Sequence, residues 1–264
     1  MLILLKHELK QNYKSLIIWS LSVGIMGMFC ICLYSSMTED MAALSESFSN
    51  MGAFSDAFGM STLGIGTIAG YFATEVGVVH SLGSSMFAAV TATTILSKEE
   101  DGHTGEFLYS LPISRGKVVV AKICSMLIMI IVFTIITVAC YIPGFVYIDA
   151  HPEWELFVIF MLSQLLMNVE IMFICTMISA FVKRNMPGTG LGIALLLYAY
   201  DLIGRVASEM EDAITIGPFS YCNATEIFAK ETIPGTAYIF GTIIIVFTVI
   251  LTFIKYTKKD FASY

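Results

Sequence analysis

Apolar residues run along this chain in long blocks instead of the one-faced stripes of a water-exposed helix or the alternation of a half-buried strand. Blocks near 20 residues can each cross a hydrocarbon layer of roughly 30 Å as a helix. They predict spans over residues 15–34, 77–96, 123–142, 156–180, 189–207 and 236–254. The second block is usable anywhere between Gly64 and Leu96, longer than one thickness, so its outer part is expected to start as a partial or re-entrant helix. Pro143 and Gly144 are expected to end or bend the third. Ahead of the first span, Leu2, Leu5, Leu9 and Tyr13 recur at helical spacing opposite Lys6, Lys10 and Lys14. That pattern predicts an interfacial helix over residues 1–14 that turns upward into the span. Met37, Met41, Leu44 and Phe48 repeat the stripe at the far surface. The fold class expected is an all-α polytopic membrane protein of six transmembrane helices, forming a single transmembrane domain over residues 1–264.

Composition agrees and narrows the function. Of 264 residues 57% are hydrophobic and 13% charged, about half the charged share of a soluble domain. Six spans leave too little polar sequence for a nucleotide-binding or extracellular domain, which is expected on another chain. The first block has no persuasive cleavage pattern and reads as an uncleaved anchor. Basic residues then orient the spans. The N-terminal segment, the Lys98–Lys122 loop, the Lys183–Gly188 turn and the C-terminal tail hold 12 of the 14 Lys and Arg residues, leaving Arg205 and Lys230 opposite. Both termini are therefore expected in the cytoplasm of a multi-pass cell-membrane protein. The outer face is acidic, with Glu39, Asp40, Glu46 and Asp56, then Asp149, Glu153 and Glu155, then Glu209, Glu211 and Asp212. Such a face is a hydrated surface that can also attract cations.

Candidate chemistry inside the bundle is sparse. Glu170 lies near the middle of the fourth span and Asp201 within the fifth, where an ionised group needs a partner, water or a proton. Arg205 stands one turn beyond Asp201, which predicts a local ion pair. Glu170 has no sequential partner, leaving structural pairing, a polar lining or subunit contact, and proton or ion coupling open. Glu75 and His80 fall around the outer start of span two, where they could line an exit, although residence at the wet interface accounts for them. Gly64-Ile65-Gly66 and Gly188-Thr189-Gly190-Leu191-Gly192 follow no strand, so they read as bends or close helix contacts and not as nucleotide loops. Ser81, Ser84, Ser85, Ala88, Ala89 and Ala92 read as a close-contact face. Six dispersed cysteines and four dispersed histidines give no metal or catalytic set, so no enzyme activity is expected. Asn223-Ala224-Thr225 fits a glycosylation acceptor on the far side.

The inner loop is more distinctive. Ser97 to Lys117 begins acidic and ends basic. Thr104 can cap a short helix that presents Phe107, Leu108 and Leu111 on one side, Pro112 breaks it, and Ser114 can cap the next span. A helix fixed at both ends to spans can transmit motion, and its apolar side chains suit a docking partner. Glu99, Glu100, Gly102, Thr104, Glu106, Leu111-Pro112-Ile113-Ser114-Arg115 and Lys122 resemble the cytoplasmic signature of ABC-2 type transporter membrane subunits, including exporters of antibiotics, lantibiotics and other amphipathic peptides. Six spans, an interfacial N-terminal helix and a polar segment before the last span extend the resemblance over nearly the whole chain.

The resemblance implies that residues 97–122 form a cytoplasmic coupling region, with Thr104 to Ser110 in a groove of a cytoplasmic ABC ATPase and Glu99, Glu100 and Arg115 bracing the elbow. It implies two ATPase copies carrying ATP and Mg, with no cofactor on this chain, and a second copy of this chain or a related permease beside it in the lipid. No nucleic acid is implied. The function expected is therefore the permease subunit of an ATP-driven exporter moving an amphipathic peptide, antibiotic or hydrophobic solute outward. The alternatives are a non-transporting scaffold or sensor recruiting a cytoplasmic partner, and an intramembrane enzyme, for which no convergent residues are found.

Overall fold

Continuous apolar sequence with few internal helix breakers folds into long helices, and the computed structural model contains six that are long and apolar enough to cross a membrane. It describes residues 1–37, 63–110, 112–207, 211–230 and 235–259, together with Gly52, Ser55, Ala57 and Met60. The spanning helices are α1 (Leu2–Met37), α2 (Ile68–Ile95), α5 (Arg115–Ile148), α6 (Trp154–Phe181), α7 (Pro187–Val206) and α10 (Gly235–Thr257). Short helices α3 (Lys98–Asp101) and α4 (Gly105–Ser110) join α2 to α5. Two more, α8 (Glu211–Ile214) and α9 (Ala224–Phe228), lie between α7 and α10. Met41, Leu44 and Phe48 of the far-surface stripe, and the acidic residues Glu39, Asp40, Glu46, Asp56 and Glu209, lie outside the described residues.

Three boundaries depart from the sequence reading. Residues 1–14 do not form a separate interfacial helix that turns into the first span, because α1 is unbroken for 36 residues. No Gly or Pro precedes Gly24 to interrupt it, and the fully buried Glu8 ties its early turns into the bundle. At 1.5 Å per residue it is about 54 Å long, so it extends well past a hydrocarbon core. Helix α2 begins at Ile68, ahead of the expected Gly77. Thr67 accepts a bond from the Gly70 amide at 3.0 Å to start it, and a wider π turn over Phe72–Val76 carries it on. Pro143 neither ends nor marks the limit of α5, which continues to Ile148 and stops at Asp149 in the left-handed conformation, φ 50°. Contact with α1 supports the helix on both sides of the proline: Tyr141 lies against Gly27 before it and Gly144 against Ile31 after it.

Helices α2 and α6 form the buried centre, with α1 packed chiefly on α5, α7 on α2 and α10 on α6. The small face of α2 makes this possible, since Ser81, Ser84, Ser85, Ala88, Ala89 and Ala92 are all buried. Gly190 supplies the matching approach from α7: a Cβ there would stand 2.7 Å from the Ala89 carbonyl oxygen, whereas Gly188 and Gly192 face open space. Within the glycine run, Gly190 is thus the helix contact. Towards the acidic end, Phe72 gathers Tyr141, Phe145, Phe157, Phe160 and Phe228 within ring-contact distances of 5.5–6.2 Å. Outward faces of α7 and α10 keep Leu195, Leu196, Ile243, Val246, Phe247 and Ile250 exposed, as lipid contact requires.

Candidate functional site

The end of the bundle that carries the start of α1 and the end of α10 holds a polar network beneath helix α4. Glu8 of α1 is fully buried and accepts from Lys122 Nζ of α5 at 2.9 Å and from Lys98 Nζ of α3. Lys122, itself fully buried, also donates to Glu99 at 2.7 Å and to the Ile95 carbonyl at 2.8 Å. Two ammonium groups thus meet two carboxylates, and the extra bonds to backbone and Gln11 satisfy further hydrogens. Burial pushes the Glu99 carboxyl up, but the Lys122 charge and the hydrogen bonds from Lys122 and Thr104 outweigh it and leave the group below the ordinary carboxylate range. Burial acts the other way on Lys98, lowering its ammonium below the usual lysine value together with the charge of Lys122.

This network reaches the other helices. Glu100 pairs with Lys259 beyond α10, and Lys259 Nζ donates to the Val182 carbonyl at the end of α6 at 2.8 Å. Arg115 at the start of α5 donates to the Thr257 and Lys259 carbonyls at 3.0 and 2.5 Å, where its charge complements the C-terminal end of α10. Ser179 of α6 accepts from the amides of Leu96 and Ser97 at 3.0 and 3.1 Å, and Ser97 donates to Asn185 in the turn before α7 at 3.3 Å. Segment 96–101 is therefore bonded to or beside all six spanning helices.

Helix α4 sits on that base. Thr104 precedes it with its carbonyl accepting from Leu108 N at 3.0 Å, but its hydroxyl donates to Glu99 at 2.7 Å instead of capping the new helix. Gly102 and His103 make the bend between α3 and α4, His103 with φ 53° in the left-handed region. Glu106 lies within α4. The expected shared apolar side divides: Phe107 is 73% exposed, whereas Leu108 packs against the core with Ile113. Leu111 lies outside the described residues, and Pro112 is exposed just after it. Ser114 precedes α5 in extended conformation without a side-chain cap bond.

Inside the bundle, Arg205 holds Asp201 with Nε at 2.8 Å and Nη2 at 2.7 Å, and reaches Glu226 at 3.4 Å. Glu170 finds its partner in Tyr221, whose hydroxyl donates to Oε2 at 2.6 Å from the segment before α9. The carboxyl also fills space that Gly241 of α10 leaves open, since a Cβ there would be 2.8 Å from Oε2. His80 is not at a wet interface: it is buried, 2.9 Å from the Tyr141 hydroxyl and in ring contact with Phe133 and Phe160, while Glu75 is exposed. Asn223 Oδ1 accepts from Thr225 N and its Nδ2 donates to Glu226, so the side chain of the apparent glycosylation acceptor is engaged in starting α9. All six cysteines are free thiols. Among the described residues no three His, Cys, Asp or Glu side chains group as metal ligands.

Sequence reasoning missed Glu8, Lys98 and Lys259 as members of the network. A signal for Glu8 was present, because it is the one carboxylate before Glu39 in a segment otherwise basic and apolar. The family model described as ABC-2 family transporter protein matches residues 2–261, and no curated protein matches the chain.

Proposed function

Because the chain belongs to the ABC-2 family of transporter proteins, whose members are non-catalytic permease subunits that generally pair with a cytoplasmic ATPase, we propose that it moves an amphipathic peptide, antibiotic or other hydrophobic solute outward. The basic end, with 12 of the 14 Lys and Arg residues, is the cytoplasmic one on this reading. There α4 docks in the ATPase, with Phe107 as the anchor, Leu108 holding the helix to the bundle, and Glu99, Glu100, Thr104 and Arg115 fixing its base. Gly102 and His103 make the bend into it. ATP and Mg belong to two ATPase copies, and a second permease copy or a relative completes the pathway.

One observation carries the docking assignment: a helix six residues long displays a 73% exposed phenylalanine while its foundation is bonded across the whole bundle. An exposed aromatic on a helix held at both ends is an anchor that a partner's groove can bury, and displacement of α4 pulls on the network that ties its base to several spans. Replacing Phe107 with Asp is expected to cut ATPase co-purification at least about tenfold, the loss of one buried aromatic anchor, with membrane insertion retained. Unchanged co-purification together with unchanged ATP-driven transport overturns the assignment.

A further inference from the structure

A pocket opens at the acidic end between α2, the last turns of α7 and the segment leading into α9. Ser81, Tyr198, Asp201, Arg205, Asn223 and Thr225 are among its lining residues, and it has room for a group the size of an ammonium. Asp201 is only 5% exposed, and its Oδ2 takes both bonds from Arg205. Its second oxygen, Oδ1, is buried and has no hydrogen-bond partner. A carboxylate oxygen held out of water accepts a donor when one is offered, because leaving it unmet costs free energy.

Charge selects which donor. Asp201 and Glu226 share the single guanidinium of Arg205, so two carboxylates face one cation. No other Lys or Arg side chain of this end is free to balance them: Arg205 and Lys230 are the two basic residues outside the basic loops and tails, and Lys230 is 2.9 Å from Glu153. Ser81 and Tyr198 bring hydroxyl-bearing side chains to the lining, and Phe219 and Leu202 bring apolar ones. A cationic head with an apolar neighbour fits this lining, whereas an anion meets the surplus negative charge.

We infer that this pocket binds a primary ammonium or guanidinium group of the solute, presented on an amphipathic body, with Asp201 Oδ1 as acceptor and Glu226 supplying the surplus charge. The inference deepens the export reading, on which the identity of the occupant as transported solute rests. Binding itself is measured on this chain without the ATPase, so its failure leaves the α4 assignment standing, and failure of α4 leaves the pocket standing.

The probe is a dansyl-labelled amphipathic helix of lysine and leucine, titrated against the full chain in phosphatidylcholine nanodiscs with empty nanodiscs subtracted. The same peptide with every lysine acetylated is the comparison. The wild-type chain is expected to bind the lysine form at least about tenfold more tightly, in keeping with a buried charge-assisted hydrogen bond. Glu226→Gln, which keeps the Asp201–Arg205 pair and an amide oxygen to accept from Asn223, removes most of that preference, and Asp201→Asn removes it wherever the chain still folds. Glu155→Gln, an exposed acid elsewhere on the same face, leaves it unchanged. Equal affinity for the two peptides overturns the inference, as does an equal loss in Glu155→Gln and Glu226→Gln, which identifies diffuse surface attraction.

Discussion

Glu8 is the residue on which the basic end turns. It is a carboxylate with no exposed surface, and it holds α3 and α5 through Lys98 and Lys122. Buried pairs of this kind are sensitive to loss of one partner, since the survivor keeps its charge without compensation. Lys122→Met is therefore expected to destabilise the chain by about 3 kcal/mol, and Glu8→Gln by a similar amount. The double variant should lose less than the sum by about 1–2 kcal/mol, measured by unfolding in detergent micelles, and strictly additive losses would contradict the pairing. These contacts were only half legible in the chain. Glu99 and Lys122 stand out in the loop pattern, but Glu8 meets Lys98 and Lys122 across 90 and 114 residues, a closure that only the packing of α1 on α5 brings about. Asp201 and Arg205 were legible because one helical turn joins them, whereas Tyr221 as the partner of Glu170 was not, since it comes from an irregular segment.

Helices α6, α7 and α10 have almost the limits that hydropathy predicts, because loops of charge, Pro and Gly bracket them. The limits of α1, α2 and α5 were less legible, since hydropathy measures the part of a helix that lies in lipid and not the turns that tertiary contacts keep helical beyond it. Lys122 in the first turns of α5 and Glu8 in those of α1 are polar by any scale, yet both are buried within a helix. At this scale the contact of α7 with α2 is the most exposed to test. Gly190→Leu places a side chain against the Ala89 carbonyl and Thr93 hydroxyl, while Gly192→Leu on the same helix enters open space. The first is expected to cost about 1–3 kcal/mol and lower the thermal midpoint in micelles, and the second to leave it unchanged. Equal midpoints for the two would remove the close contact from the account.

For the whole molecule, the two polar centres stand at opposite ends of a bundle whose middle is built from small, buried residues of α2 and from the buried face of α6. Helix α2 belongs to both: its last turn leads directly into the Glu8, Lys98 and Glu99 network, and its Ser81 lines the pocket with Asp201. The same helix is bridged at its end to α6 through Ser179. On the proposed reading, a displacement of α4 by an ATPase would be passed to the acidic end along α2, the helix that joins the two polar centres. Transport is the most direct test of the proposed function. The chain would be reconstituted with its co-purifying ATPase in liposomes, basic end facing the bath, and ATP-dependent accumulation of the labelled lysine–leucine peptide in the lumen measured. The account predicts accumulation that needs hydrolysable ATP and disappears with Phe107→Asp. ATP hydrolysis by the intact complex with no accumulation of the peptide would contradict it.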